Sequence, residues 1–176
     1  MHFKPNAVIY VATGRELSRT ADYLAEVVRK RIAIPYAPLA QAVERAALSP
    51  ALDETAAVKQ LRPYRADLLM GTYQLLASRI RAQGATPVFV FLPQVQDGNW
   101  GEETPETLRI ARAAGFIVID LSDVFAAQAI ETIRLAEWDD HPIAKGHRLV
   151  AERLYDVMSA RSDILPGRLQ AQVAHR

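Results

Sequence analysis

The side chains with the most chemical capacity stand together in one short stretch, Glu137-Trp138-Asp139-Asp140-His141-Pro142. An imidazole titrates near neutrality and can take a proton from a hydroxyl. A carboxylate beside it fixes its tautomer and stabilises the imidazolium that forms. Asp139 and Asp140 both immediately precede His141, and either is placed to do this. The same residues also suit a plainer role, in which an aspartate caps a helix opening at Pro142 and His141 is a solvated neighbour. Asp139, Asp140, His141 and His147 carry metal-ligating atoms. The two histidines, however, are six apart, not the four that sets two ligands on one helical face, and no metal is expected. A general base also needs a nucleophile. The chain has no cysteine, and its serines are Ser18, Ser49, Ser78, Ser122, Ser159 and Ser162. Of these, Ser122 falls at the end of an expected strand, where it is read as a helix N-cap ahead of Asp123. No nucleophile is assigned.

Three apolar runs predict the strands that would present these loops: Ala7–Ala12, Pro87–Leu92 and Phe116–Asp120. Continuous apolar runs belong to parallel strands covered on both faces. Helical periodicity predicts helices over Glu16–Arg31, Pro38–Leu48, Leu61–Gln83, from Thr104 onward, and from Pro142 to Ala160. Thr104-Pro105-Glu106 reads as a helix start, with Thr104 the N-cap and Pro105 the first helical residue. Gly84 and Gly115 read as helix stops ahead of the second and third strands. Alternating strands and helices give a single α/β domain over residues 1–165, with a frayed tail at 166–176.

Ligands of parallel sheets lie beyond the carboxyl ends of the strands. The places to search are therefore Thr13-Gly14-Arg15-Glu16, Pro93 to Asp97, Asp120 to Asp123, and the stretch ending at His141. Gly98-Asn99 and Trp100 mark a loop that borders a pocket or is simply a turn. Three strands make a thin sheet, and nothing precedes the first strand to pair its outer edge. We therefore expect either pairing with another chain along Ala7–Val11, or a longer natural protein in which Met1 is internal.

Composition narrows the function. Of 176 residues, 50% are hydrophobic and 23% charged, with a formal net charge of +1. Wholesale disorder is excluded, and no global positive field would gather nucleic acid. The triplet Arg29-Lys30-Arg31 suits a helix C-terminus without invoking a polyanion. No apolar run approaches the roughly 20 residues that span a bilayer. No signal peptide opens the chain, and its compartment stays unspecified.

The stretch Trp138-Asp139-Asp140-His141-Pro142-Ile143-Ala144-Lys145-Gly146-His147 resembles the last sequence block of the SGNH (GDSL-type) hydrolases. In that block an aspartate, the catalytic histidine, a proline and a Gly-His or Gly-Tyr pair lead into the final helix. The resemblance implies a three-layer, flavodoxin-like parallel sheet with flanking helices, of which about three strands are present and the N-terminal part is missing. It also implies a Ser-His-Asp mechanism on acyl esters of small molecules or glycans, without a metal or organic cofactor. His141 matches the general base and Asp139 the orienting acid, with Asp140 as the alternative. Gly14-Arg15-Glu16 falls where the family carries its Gly-x-Asn-Asp block, which makes Gly14 and Arg15 the oxyanion candidates. Three departures stand out. Trp138 occupies the position where the family places its aspartate, Ile143 stands for the usual asparagine, and no Gly-Asp-Ser supplies the nucleophile. The expectation is a hydrolase portion inactive by itself. The rival expectations are a non-catalytic α/β domain that pairs through its open sheet edge and a nucleotide-binding flavodoxin-like protein. No Gly-rich phosphate loop follows any strand to support the latter.

Overall fold

Each apolar run is too short for a stable helix, rich in β-branched and aromatic residues and bounded by Pro or Gly, so its backbone groups are satisfied by lateral pairing as a strand. In the computed structural model, which describes residues 4–95 and 103–164, β1 (Ala7–Ala12), β2 (Thr86–Phe91) and β3 (Ile117–Asp120) form a parallel sheet in the order β1-β2-β3. Ala7 stands opposite Thr86, and Val88 opposite Ile117. The described residues also form six α-helices: α1 (Glu16–Arg29), α2 (Ala37–Arg45), α3 (Glu54–Leu61), α4 (Arg65–Ala82), α5 (Thr104–Ala113) and α6 (Ala144–Ser159). A short hairpin of β4 (Arg134–Ala136) and β5 (Asp139–Pro142) precedes α6. The molecule is thus a mixed α/β structure built on a three-strand parallel sheet.

Alternation along β2 divides the core. Phe89 and Phe91 pack with Leu69, Tyr73, Ala77 and Ile80 of α4 and with Leu108 of α5. Val88 and Val90 pack on the other side with Ile119, Val150 and Leu154. Both α4 and α5 link neighbouring parallel strands and lie on one face, as successive crossovers of one hand require. A further apolar cluster joins Leu24 and Val28 of α1 to Ala42, Leu61 and Leu68.

The central strand β2 is buried on both faces, but β1 is not. Ile9 is 42% and Val11 52% exposed, because β1 is an edge strand and, of its residues on that face, it is Ala7 that joins the cluster holding Val150 and Leu154 of α6. A further difference lies ahead of α4. The helix expected from Leu61 begins only at Arg65, because Pro63 lacks an N–H and breaks the ladder in a 3-10 turn over Arg62–Tyr64. Helix α3 is an addition to the expected set. Asp53 caps it, accepting a hydrogen bond from the Ala56 N–H at 2.9 Å. The cap of α5 also moves by one residue, to Glu103, with Thr104 buried inside the helix.

Gly84 and Gly115 adopt φ of 77° and 95° and close α4 and α5 as Schellman caps. The Ala85 N–H reaches the Ile80 carbonyl, and the Phe116 N–H the Ala111 carbonyl. Helix α2 closes in the same way, with the Leu48 N–H bonded to the Val43 carbonyl at 3.0 Å. Its left-handed residue, however, is Ala47, at φ 48°. A Cβ in that region costs about 1–2 kcal/mol, of which glycine's greater freedom in the unfolded chain takes back part. Ala47→Gly should therefore raise stability by about 0.5–1 kcal/mol in denaturant melts. A loss would contradict the cap geometry.

Basic residues at the end of α1 are used locally. Lys30 pairs with Glu26 at 2.6 Å and Arg29 with Glu54 at 3.0 Å, consistent with a helix end and not a polyanion site.

Candidate functional site

The Asp139-Asp140-His141 stretch is a strand and not a helix cap. β5 pairs antiparallel with β4, Ala136 opposite Asp139 and Arg134 opposite Pro142, and Glu137-Trp138 turns between them. Pro142 closes this strand. The cap of α6 is Ile143, whose carbonyl accepts from the His147 N–H at 3.0 Å. Both expectations for Pro142, as the first-turn residue and as the start of the helix, are corrected accordingly.

Strand geometry places the two acids differently. Side chains two apart share a face of a strand, while neighbours point to opposite faces. Asp139 therefore faces His141, and its Oδ1 lies 2.5 Å from Nδ1 of the ring. The same oxygen accepts the His141 backbone N–H at 2.9 Å. Asp140 keeps one oxygen 3.8 Å from Nδ1 but turns the other to Gln94, whose Nε2 donates to it at 2.9 Å. The hydrogen bond and then the charge of Asp139 raise the pKa of His141 above its ordinary value. The His141 backbone N–H, and then its ring, hold the Asp139 carboxyl below the usual range.

The hairpin is fastened to the carboxyl end of the sheet. The Val95 N–H, just past β2, donates to the Asp140 carbonyl at 3.1 Å. The imidazole itself is open, with a side-chain exposure of 79% against 18% for Asp139. The three side chains from Asp139 to His141 hold their ligating atoms within 4.8 Å of one another. Nδ1 is engaged by Asp139, so the arrangement is that of a hydrogen-bonded acid–imidazole pair.

The other expected residues belong to other elements. Gly14 is buried and Arg15 is the exposed N-cap of α1, its N–H donating to the Thr13 carbonyl at 2.8 Å. Among the described residues the polar partners of His141 are Asp139 and Asp140, and neither Gly14, Arg15 nor a serine is one of them. Ser122 caps no helix. Its own N–H donates to Asp120 Oδ1 at 3.0 Å in a turn after β3, because the aspartate two residues earlier satisfies the turn first. Ser18 lies in α1, where its hydroxyl donates to Glu103 at 3.2 Å. Gln96, Asp97, the Gly98-Asn99 and Trp100 loop and the 166–176 tail lie outside the described residues.

Two features escaped the sequence. One is the hairpin, signalled only by Glu137-Trp138 between two short polar–apolar stretches. The other is Gln94, which takes up Asp140 and leaves Asp139 to the histidine.

Gly146, in the first turn of α6, sets how closely the helix approaches the hairpin. A Cβ there would stand 2.6 Å from the Pro142 Cβ and 3.3 Å from the Ile133 carbonyl. Gly146→Ala should push Pro142 outward, cost about 1–3 kcal/mol, and shift the His141 ring resonances in an NMR spectrum. A variant with wild-type stability and unmoved resonances would show that α6 does not hold β5.

Among the described residues no helix is long and apolar enough to cross a membrane. No family model, curated protein or solved structure matches this chain.

Proposed function

We propose that the chain carries the acid–base half of an SGNH-type acyl-ester hydrolase, with His141 as the general base and Asp139 as the acid that orients it. The observation that carries this is the bond of 2.5 Å between His141 Nδ1 and Asp139 Oδ1. With Nδ1 held by the acid, Nε2 is the nitrogen left to accept a proton from a hydroxyl. Asp139 then stabilises the imidazolium without taking the proton itself. The proton would return from Nε2 to the departing alcohol, and backbone amides at the carboxyl ends of the strands, with Gly14 and Arg15 beside them, would face the oxyanion.

Two further observations agree. The hairpin is tied through Asp140 to the segment that leaves β2, which is where parallel sheets place their ligands. The openness of the ring suits a base whose hydroxyl partner comes from elsewhere, because no serine stands among its polar partners in the described residues. The fold we propose is accordingly flavodoxin-like, with additional strands next to β1 carrying the Gly-Asp-Ser serine. The coding DNA upstream of the Met1 codon tests this. An in-frame Gly-Asp-Ser following an apolar strand is expected. An immediate in-frame stop, with no such block in any frame, would count heavily against it.

A second reading is favoured by β1 itself. Backbone groups of Ala7, Ile9 and Val11 point away from β2 in the parallel register, and their apolar side chains carry no charge to deter pairing. A non-catalytic domain that pairs through this edge would form a defined dimer at low concentration in sedimentation measurements, and its assembly would be lost on Ile9→Lys.

A further inference from the structure

We propose that the cleft between α1, residues 32–36 and α4 binds an organic ammonium ion carrying an apolar chain. The cleft is separate from the His141 hairpin, and the proposal stands whether or not the hydrolase reading holds. Its volume is about 520 Å³, within the range of small-molecule sites.

Four tyrosines, Tyr10, Tyr23, Tyr36 and Tyr73, line the cleft together with the Glu16 carboxylate. Aromatic faces attract cations through their quadrupoles, most strongly when the cation is a poorly hydrated alkylammonium. The carboxylate is fixed in place. Its Oε2 accepts the hydroxyls of both Tyr10 and Tyr73, each at 2.9 Å, and Tyr73 is only 1% exposed. Both phenols therefore donate into Glu16. Burial, and next the charge of Glu16, push their pKa values upward, so they stay protonated. The other carboxylate oxygen has no hydrogen-bond partner among the described residues.

The Tyr36 ring is shared with the neighbouring groove, where the Arg79 guanidinium carbon lies 5.2 Å from its centre. Leu24, Val27 and Leu39 supply the apolar wall for a chain. The other charged lining residue is Arg19, one turn along α1 from Glu16. An anionic ligand would have to choose Arg19 and accept the repulsion of Glu16. A cation also has Arg19 to avoid, but it meets a fixed carboxylate and the exposed ring of Tyr23.

Calorimetric titration of the full chain with octyltrimethylammonium, octanoate and octanol tests the proposal. We expect saturable binding of the ammonium ion, with octanoate and octanol at least about tenfold weaker. Glu16→Gln keeps an acceptor for the two phenols and should weaken the ammonium ion about tenfold. Tyr23→Ala removes a ring that is 62% exposed, leaves the core intact, and should weaken binding about threefold. The proposal is overturned by no saturable heat up to about 10 mM, by octanoate or octanol binding as tightly as the ammonium ion, or by unchanged affinity in a folded Glu16→Gln. Unchanged affinity in Tyr23→Ala overturns it as well.

Discussion

Phe89→Ala should destabilise the chain by about 3–5 kcal/mol, as removal of a buried aromatic ring from a well-packed site does. For a domain of this length that is a fall in melting temperature of roughly 6–20 °C. Phe89 is 0% exposed and sits on the central strand, paired on both sides. Its ring lies 5.8 Å from that of Tyr10, 5.4 Å from Tyr73 and 6.0 Å from Phe116, mostly edge-on. These neighbours come from separate elements, β1, α4 and the residue just ahead of β3, so they cannot collapse together into the space left behind. Chemical denaturation measures the loss. The exposed Tyr23→Ala serves as reference and should stay within about 0.5 kcal/mol of the parent. A loss below about 1 kcal/mol for Phe89→Ala would mean that this aromatic cluster is not the centre of the core.

Asp139→Asn should lower the pKa of His141 from its raised value towards the ordinary one near 6.5. Asparagine keeps an oxygen to accept from both the ring and the backbone N–H, so the change isolates the charge. Asp140→Asn should act less, because that acid stands at 3.8 Å from the ring and is engaged by Gln94. NMR titration of the imidazole resonances reads both shifts directly. The sign for stability follows from the two directions. A native His141 pKa above its unfolded value stabilises the fold fully below about pH 6.5, and this contribution is lost as pH rises through the native pKa. An Asp139 pKa below its unfolded value contributes above about pH 4 and is lost as pH falls through its native value. The pair is therefore most stabilising between those limits. Equal pKa values for His141 in the parent and in Asp139→Asn would show that the contact does not persist in solution.

Much of the framework was legible because its causes are local. The apolar runs that became β1, β2 and β3 are short, rich in β-branched and aromatic residues and bounded by Pro or Gly, and Gly84 and Gly115 end helices because their backbone turns left-handed. The hairpin was not legible. Arg134–Ala136 and Asp139–Pro142 carry no strand periodicity long enough to read, and their pairing depends on α6 packing through Gly146 and on Val95 meeting Asp140. The choice between Asp139 and Asp140 follows from that strand, since a helix cap would not have set positions two apart on one face. The exposure of Ile9 and Val11 was hidden for a related reason: a run of residues shows that a strand is apolar, not how far a distant helix extends over it. The cluster of Tyr10, Glu16 and Tyr73 brings together residues as far apart in sequence as Glu16 and Tyr73, 57 positions, and Tyr10 lies further still; no spacing rule operates over such a separation.

The proposed hydrolase chemistry is tested most directly by release of p-nitrophenol from short acyl esters. Residues 1–176 should release none above background. The polypeptide extended through an upstream Gly-Asp-Ser block should turn the ester over, and His141→Ala should cut that rate by on the order of 10²–10⁴. Turnover by residues 1–176 alone would contradict the placement of the nucleophile outside them, and an extended protein indifferent to His141→Ala would contradict the role given to the imidazole.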